Sequence, residues 1–279
     1  MISNILLPLD FSRYTDAALQ YACFVAKHQE ATITGTAVLI DPGLQKCFGP
    51  AYAKMSSWTE KLDKRVLEKI NQRIANLLDK FNKTCQAEGV AHKTTEFQGT
   101  CTEQIMFQSM FYDLLVIGFR SSYYFDESEN SENVEIPLEK ILSQTITPIL
   151  AVPKNFFPIT KALIAFDGSL PAARAMKRFA YIARSKEVEF IILMAHPEQD
   201  TAMYYLNKAE EYMKSHGHQN ITIKWTSKNI ITEIKEQYMD EVDMFIAGVH
   251  SKDALKSFFL GSLIKFLLRE AKKPLFIGQ

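Results

Sequence analysis

The residues from Gly248 to Ser262 have the types and spacing of an anion-binding loop. The apolar run that ends at Gly248 predicts a strand, and we expect this glycine to allow a sharp turn. Gly261-Ser262 precedes a helix-period segment, so backbone N–H groups and a hydroxyl lie at a helix N-terminus, which favours phosphate. Lys252 and Lys256 add cationic donors. The alternative is a loop whose Gly and Ser only end one element and cap the next.

A second polar cluster, with Asp167 and Ser169, follows the apolar run KALIAF. Ser169 has the residue type of a helix N-cap, and Pro171 suits a first helical turn. Asp167 therefore either braces this turn or faces a ligand. Asp10 and Ser12 repeat the arrangement near the start of the chain, so the repeat alone does not separate these two roles.

Several other chemistries lack the residues that they need. The four cysteines form no CxxC pair, which favours buried thiols in a reducing cytosol and argues against zinc: Cys23, Cys47, Cys85 and Cys101. The sequence has no GxSxG elbow and no Walker A motif. We find no signal-peptide pattern and no uncharged run of about 18 residues, so we expect a cytoplasmic protein without a membrane span.

The sequence contains an internal repeat. NILLPLD matches KALIAFD at an offset of 157 residues, DLLVIG matches DMFIAG at an offset of 130, and TPILAV matches KPLFIG at an offset of 126. Three matches in the same order predict two related domains, which we place at residues 1–155 and 156–279.

Each copy alternates five short apolar runs with helical patterns. This alternation predicts an α/β fold of two tandem, doubly wound parallel sheets, in which ligands lie beyond the carboxyl ends of the strands. A long amphipathic helix is predicted over Ser57 to Phe81, and its shorter counterpart over Thr201 to Ser215. The predicted strands lie near 4–9, 32–39, 93–97, 113–118, 149–152, 161–166, 189–195, 220–225, 243–248 and 274–277.

The net charge of zero results from two opposite charges. Residues 1–154 hold 15 basic and 18 acidic residues, a net of −3, and residues 155–279 hold 17 basic and 14 acidic, a net of +3. A neutral chain has no generic attraction for nucleic acid or an anionic membrane, so we expect neither as a partner.

The stretch GVHSKDALKSFFLGS resembles the nucleotide-binding loop of the universal stress protein family. In that family the pattern is Gly, two residues, Gly, nine residues, then Gly followed by Ser or Thr. Gly248, Gly261 and Ser262 match it, whereas Ser251 stands where the middle glycine is expected. With the Asp-x-Ser turn and the final Pro-apolar strand, the resemblance covers nearly the whole chain as a tandem, two-domain member.

The resemblance implies a Rossmann-like fold of the adenine nucleotide α-hydrolase type, with about five strands per domain. It implies ATP or another adenine nucleotide as the ligand, with Mg²⁺ as an accompanying ion. Asp167 and the backbone at Ala195 would contact adenine or ribose, and His250 would contact a phosphate or organise the loop. The residues that would hold ribose and phosphates are Gly248, Ser251, Gly261 and Ser262.

The first copy departs from this pattern. Gly118 is retained, but Glu135 and Ile136 take the places of Gly261 and Ser262. A carboxylate would repel phosphate, so we predict nucleotide binding mainly in the second copy. The acidic stretch around Glu135 is either solvated or a site for a cation or a basic partner.

The resemblance also implies how the copies associate. The last strands of the two copies, ILAV and LFIG, would pair and form an intramolecular pseudo-dimer, because exposed sheet edges invite pairing. Further association into a homodimer stays open.

Three functions remain as hypotheses. The first is a stress-response regulatory protein that binds an adenine nucleotide and an unidentified protein partner, with at most weak ATPase activity because no evident base is placed for water. The second is an interaction scaffold that works without nucleotide. The third is a true hydrolase or kinase-like enzyme.

Overall fold

The computed structural model describes most of the chain as strands that alternate with helices. The residues described are 2–39, 64–98, 101–120, 138, 141–142, 145–183, 188–249 and 261–278. Among these, no helix is both long and apolar enough to cross a membrane.

The described residues contain ten strands, each within about two residues of the bounds that the sequence predicts. Those of the first half are β1 Asn4–Pro8, β2 Thr32–Leu39, β3 His92–Gln98, β4 Leu114–Gly118 and β5 Ile149–Val152. Those of the second half are β6 Lys161–Ala165, β7 Glu189–Ala195, β8 Ile221–Thr226, β9 Met244–Gly248 and β10 Leu275–Gly278.

The helices lie between the strands, as the alternation predicts. They are α1 Thr15–Gln29, α2 Lys64–Ala87, α3 Cys101–Ser109, α4 Leu170–Ile182, α5 Gln199–Ser215, α6 Ile230–Glu233 and α7 Ser262–Glu270. A π-helical turn, Ile234–Tyr238, continues α6.

The long amphipathic helix α2 is confirmed, but its predicted end is wrong. It continues past Phe81 to Ala87, because Cys85 extends its buried face by one turn. The chain leaves the helix at Gly89, whose φ of 66° suits glycine after a helix C-terminus. The predicted start, residues 57–63, lies outside the described residues.

All ten strands belong to one sheet, in the order β3-β2-β1-β4-β5-β10-β9-β6-β7-β8. Each half is parallel and has the same internal order, in which its first strand lies between its second and its fourth. The chain therefore has a topological switch point in each half, between β1 and β4 and between β6 and β9.

The two halves meet through the antiparallel pair β5 and β10, which the resemblance predicts. Leu275 pairs with Ala151, Phe276 with Leu150 and Ile277 with Ile149. Two hydrophobic cores, one on each face of the sheet, each contain residues from both halves.

Aromatic side chains reinforce the junction on one face. The rings of Tyr21 and Phe156 lie 4.7 Å apart, and the Tyr21 hydroxyl accepts a hydrogen bond from the backbone N–H of Phe157 at 3.0 Å. Burial raises the pKa of Tyr21 to about 12, so this side chain stays neutral at physiological pH. The segment after β5 is thereby held against α1.

The repeat is visible in single hydrogen bonds. Leu9 N–H donates to the Thr36 carbonyl at 2.8 Å, and Phe166 N–H donates to the Leu193 carbonyl at 3.0 Å, both at the offset of 157 residues. Backbone hydrogen bonds at the starts of β4 and β9 show the offsets of 130 and 126 in the same way. The two copies therefore correspond at the level of backbone register.

An aspartate before each fourth strand holds the start of the first strand. The Asp243 carboxylate accepts from the backbone N–H groups of Thr160 and Lys161, both at 2.9 Å, and from the Thr160 hydroxyl at 2.8 Å. Asp113 accepts from Ser3 and Asn4 in the first half. Burial by itself raises the pKa of Asp243, but these hydrogen bonds outweigh it and hold the pKa below its ordinary value.

We expect Asp243→Ala to lower the free energy of unfolding by about 1–2 kcal/mol, because three donors lose a charged acceptor. The stabilisation is present above the ordinary carboxyl pKa and disappears as the pH falls through the lower folded value. Unfolding of variant and wild type by urea at pH 7 and at pH 3 measures both effects.

Asp240→Ala is the matched control, because Asp240 is an exposed aspartate just before the same strand. It should change the stability by less than about 0.5 kcal/mol. Equal losses in the two variants would contradict a specific role for Asp243.

Candidate functional site: a cavity at the switch point of the second half

The turn after β6 brings Asp167 to the edge of the sheet. Gly168 adopts a φ of 77°, which favours glycine, and Ser169 caps α4 by accepting from the Ala172 N–H at 3.3 Å. Asp167 accepts from the Ser169 N–H at 3.0 Å and is itself exposed. Asp167 thus braces the turn and also lines the cavity described below, whereas its contact with a ligand stays a prediction.

Gly248 is required for a different reason from the one predicted. It does not adopt a positive φ, so a left-handed turn does not explain it. A Cβ at this position would lie 2.2 Å from the Pro171 carbonyl carbon and 2.5 Å from the Ala172 nitrogen. A Cβ at Gly278, at the end of β10, would similarly lie 2.2 Å from Cα of Ala175. The glycines allow α4 to pack directly on the ends of β9 and β10.

Ala195 is the last residue of β7, and the direction of its backbone groups follows from its neighbours. Backbone groups alternate in direction along β7: the Leu193 carbonyl accepts from Phe166 on the β6 side, whereas His196 N–H donates to Thr226 on the β8 side. Ala195 lies two residues beyond Leu193, so its N–H and C=O turn towards the β6 side, past the last residue of β6. Its position suits the predicted backbone contact with a ligand.

Helix α7 begins at the same edge of the sheet. Gly261 is its N-cap, and the first helical hydrogen bond runs from Lys265 N–H to the Gly261 carbonyl at 3.1 Å. The N–H groups of Ser262, Leu263 and Ile264 precede this bond and have no partner within the helix. The helix therefore directs three backbone donors and its positive dipole end at the space before it.

These features surround one cavity of about 550 Å³. It lies where β6 and β9 end side by side, which is the switch point of the second half. The described residues that line it are Ala165, Phe166, Asp167, Ala172, Ala195, Ile230, Ala247, Gly248, Gly261, Ser262, Leu263, Ile264 and Lys265. Its volume is that of a typical small-molecule site.

Five of the seven predicted site residues line this cavity together: Asp167, Ala195, Gly248, Gly261 and Ser262. The other two, His250 and Ser251, lie outside the described residues, as do Lys252 and Lys256. The acidic residues of the first copy, including Glu135, also lie outside them. Contact of any of these residues with a ligand stays a prediction.

Sequence reasoning missed a cation and the apolar walls of the cavity. Lys265 is three residues after Ser262 on the same helix, so the helical period places both on one face. This spacing could have identified it. Phe166 and Ile230 form apolar walls, and the sequence gives no signal for them because they come from loop and helix starts far apart in the chain.

In the first half, the equivalent turn buries its aspartate and hydrogen-bonds it internally. Asp10 is buried, and its carboxylate accepts from the Ser12 N–H at 3.2 Å, from the Ser12 hydroxyl at 2.8 Å and from the Thr15 hydroxyl. The counterpart of Thr15 in the second half is Ala172, which has no hydroxyl to offer Asp167. The first half thus satisfies its aspartate internally, whereas the second half exposes it to a cavity.

Comparison with known proteins agrees with this fold. No family model matches the chain. Universal stress protein Slr1230 of Synechocystis is 24% identical to it over 294 aligned positions, which cover 98% of both chains. The chain therefore resembles a universal stress protein along its whole length, and the similarity covers both copies of the repeat.

Solved structures of the same fold also span the whole chain. A universal stress protein from Archaeoglobus fulgidus matches with a TM-score of 0.67 and 16% identity, over 99% of this chain and 98% of that one. The cytoplasmic domain of a prokaryotic cation chloride cotransporter matches with a TM-score of 0.58 and 12% identity, over 99% and 95%. The predicted resemblance and fold class are confirmed.

We expect Gly248→Ala to cost about 2–3 kcal/mol of stability, because its Cβ would overlap the backbone of α4 and that backbone cannot rotate away. Thermal unfolding measures the loss.

Gly89→Ala separates this steric cost from a conformational one. Gly89 has a φ of 66°, and a Cβ added there would meet nothing within 4 Å. Only the left-handed backbone penalty of about 1 kcal/mol therefore applies to this variant. Similar losses for the two variants would refute the packing role of Gly248.

Proposed function

We propose that the chain is a cytosolic stress-response regulatory protein that binds an adenine nucleotide, ATP foremost, mainly in its second half, with slow or no hydrolysis. The observation that carries the proposal is the cavity at the switch point between β6 and β9, onto which the N-terminus of α7 opens. The proposed domain bounds remain 1–155 and 156–279.

The phosphate end of the ligand would lie at α7. The three first-turn N–H groups at Ser262, Leu263 and Ile264 suit phosphate oxygens, and the helix dipole adds to them. Lys265 brings a full positive charge to the same wall, and a charge-assisted contact is stronger than a neutral one. An anionic group is therefore the part of the ligand that this wall recognises.

The base and ribose would lie at the opposite wall, near β6 and β7. Adenine has a flat apolar face and a polar edge with one donor and one acceptor. Phe166 and Ile230 supply apolar surface, and the backbone N–H and C=O of Ala195 match such an edge. Asp167 offers a carboxylate for a ribose hydroxyl, as the resemblance implies.

Slow turnover is what we expect from the groups that line the cavity. Among the described lining residues, Asp167 is the one carboxylate, and its oxygen already accepts the Ser169 N–H. General-base catalysis needs a group placed to take a proton from water. Mg²⁺ would enter together with the phosphates, since this ion is commonly held by substrate phosphates and a few protein oxygens.

The second candidate is an interaction scaffold that needs no nucleotide. The closed Asp10 turn supports it, because the first half keeps the same strand order without exposing its aspartate to such a cavity. Ser251 in place of a family glycine also supports it. On this alternative, substitutions at the cavity would leave partner binding unchanged.

We expect calorimetry to detect ATP binding by the full chain. Lys265→Ala should weaken it about tenfold through the loss of one charge-assisted contact. Gly261→Asp should weaken it at least about 100-fold, because a carboxylate then meets the phosphates at the N-terminus of α7.

Lys272→Ala is the matched control, since Lys272 is an exposed lysine just after α7 that pairs with Glu270 at 3.6 Å. It should leave ATP affinity unchanged. Absence of ATP binding by the wild type, or binding that Gly261→Asp leaves intact, would favour the scaffold instead. Sustained ATP turnover that Asp167→Ala abolishes would favour a true enzyme.

A further inference from the structure

Four large apolar side chains of the first half form one exposed patch, the α3 patch. The exposed fractions are 55% for Phe107, 49% for Met110, 69% for Phe111 and 68% for Ile146. The rings of Phe107 and Phe111 lie 5.6 Å apart, edge to face.

Hydrogen bonds hold Ile146 beside the other three residues. The hydroxyl of its neighbour Thr147 donates to the Ser109 carbonyl, and its other neighbour Thr145 bonds the Ser109 hydroxyl at 2.8 Å. Ser109 directly precedes Met110. These bonds hold the backbone at Ile146 beside the end of α3.

The second half shows that the fold does not need this apolar surface. The hydrogen bonds at the starts of β4 and β9 show that the offset of 130 residues holds there, and those before β5 and β10 show the same for 126. The residues at the equivalent positions are all exposed and polar: Gln237, Asp240, Glu241 and Lys272. At these four positions the first half carries Phe, Met, Phe and Ile, whereas the second half carries one amide and three charged side chains.

The size of the α3 patch suits one side of a dimer. If a large apolar side chain exposes about 200 Å² in full, the four fractions amount to about 500 Å². That is at the upper end for the largest apolar patch of a monomer. A standard interface buries about 800 Å² per partner, of which about 60% is apolar, so the patch supplies the required apolar area.

The charges at the rim favour a second copy of the same chain. Arg178 donates to the Ile146 carbonyl at 2.8 Å on one side, and Asp113 is exposed two residues after Phe111 on another. A surface with both signs can face itself across a two-fold axis, because cation then meets anion. The net charge of zero also removes repulsion between whole copies.

We propose that the α3 patch is the interface of a two-fold symmetric homodimer. Phe107 and Phe111 form its apolar centre, with Arg178 and Asp113 at the rim. This proposal goes beyond nucleotide binding and does not depend on it.

Sedimentation of the full chain without nucleotide, between about 1 and 100 μM subunit, tests the proposal. We expect a dimer whose dissociation constant rises at least about 100-fold in Phe111→Glu, since each substitution occurs twice in a symmetric interface. Phe107→Ser is the milder second variant and should act in the same direction. Circular dichroism checks that both variants fold.

Tyr204→Glu is the matched control, because Tyr204 is 63% exposed on α5, a helix of the second half. It should leave the dimer unchanged. A wild type that stays monomeric at about 100 μM, the top of that concentration range, would overturn the proposal. So would a dimer that persists in both patch variants, which would place the contact elsewhere, for example at the outer strands β3 or β8.

Discussion

The antiparallel pairing of β5 with β10 is the interaction on which the architecture depends. Each half is a five-stranded parallel sheet whose last strand would otherwise present a row of unpaired backbone groups. Joining these two strands satisfies both rows and makes one ten-stranded sheet. The hydrophobic core on each face then contains residues of both halves.

Small differences between the copies decide what each half can do. In the first half, the Thr15 hydroxyl donates a hydrogen bond to the Asp10 carboxylate within the turn. In the second half, the equivalent residue Ala172 has no hydroxyl, and Asp167 lines a cavity. At the other end of the strands, polar side chains in one half are replaced by apolar ones at Phe107 and Phe111 in the other. The duplicated backbone is common to both halves, and the specialisation lies in a few side chains.

Much of the fold could be predicted from the sequence, because apolar runs and helical periods are local signals. The ten strands, their parallel direction within each half and the positions of Asp167 and Gly261 follow from such signals and from the repeat. The role of Gly248 could not be predicted, because it depends on how closely α4 approaches from elsewhere in the chain. The role of Asp243 could not be predicted either, because its partners at Thr160 and Lys161 lie some 80 residues away.

The opposite directions of β5 and β10 have a geometric consequence. The carboxyl ends of the second-half strands and the amino ends of the first-half strands share one edge of the sheet. The cavity at β9 and the apolar residues before β4 and β5 therefore lie on this same edge, only two or three strand spacings apart, or about 10–15 Å. One edge of the sheet therefore carries both the cavity and the α3 patch, and the opposite edge carries the turn in which Asp10 is buried.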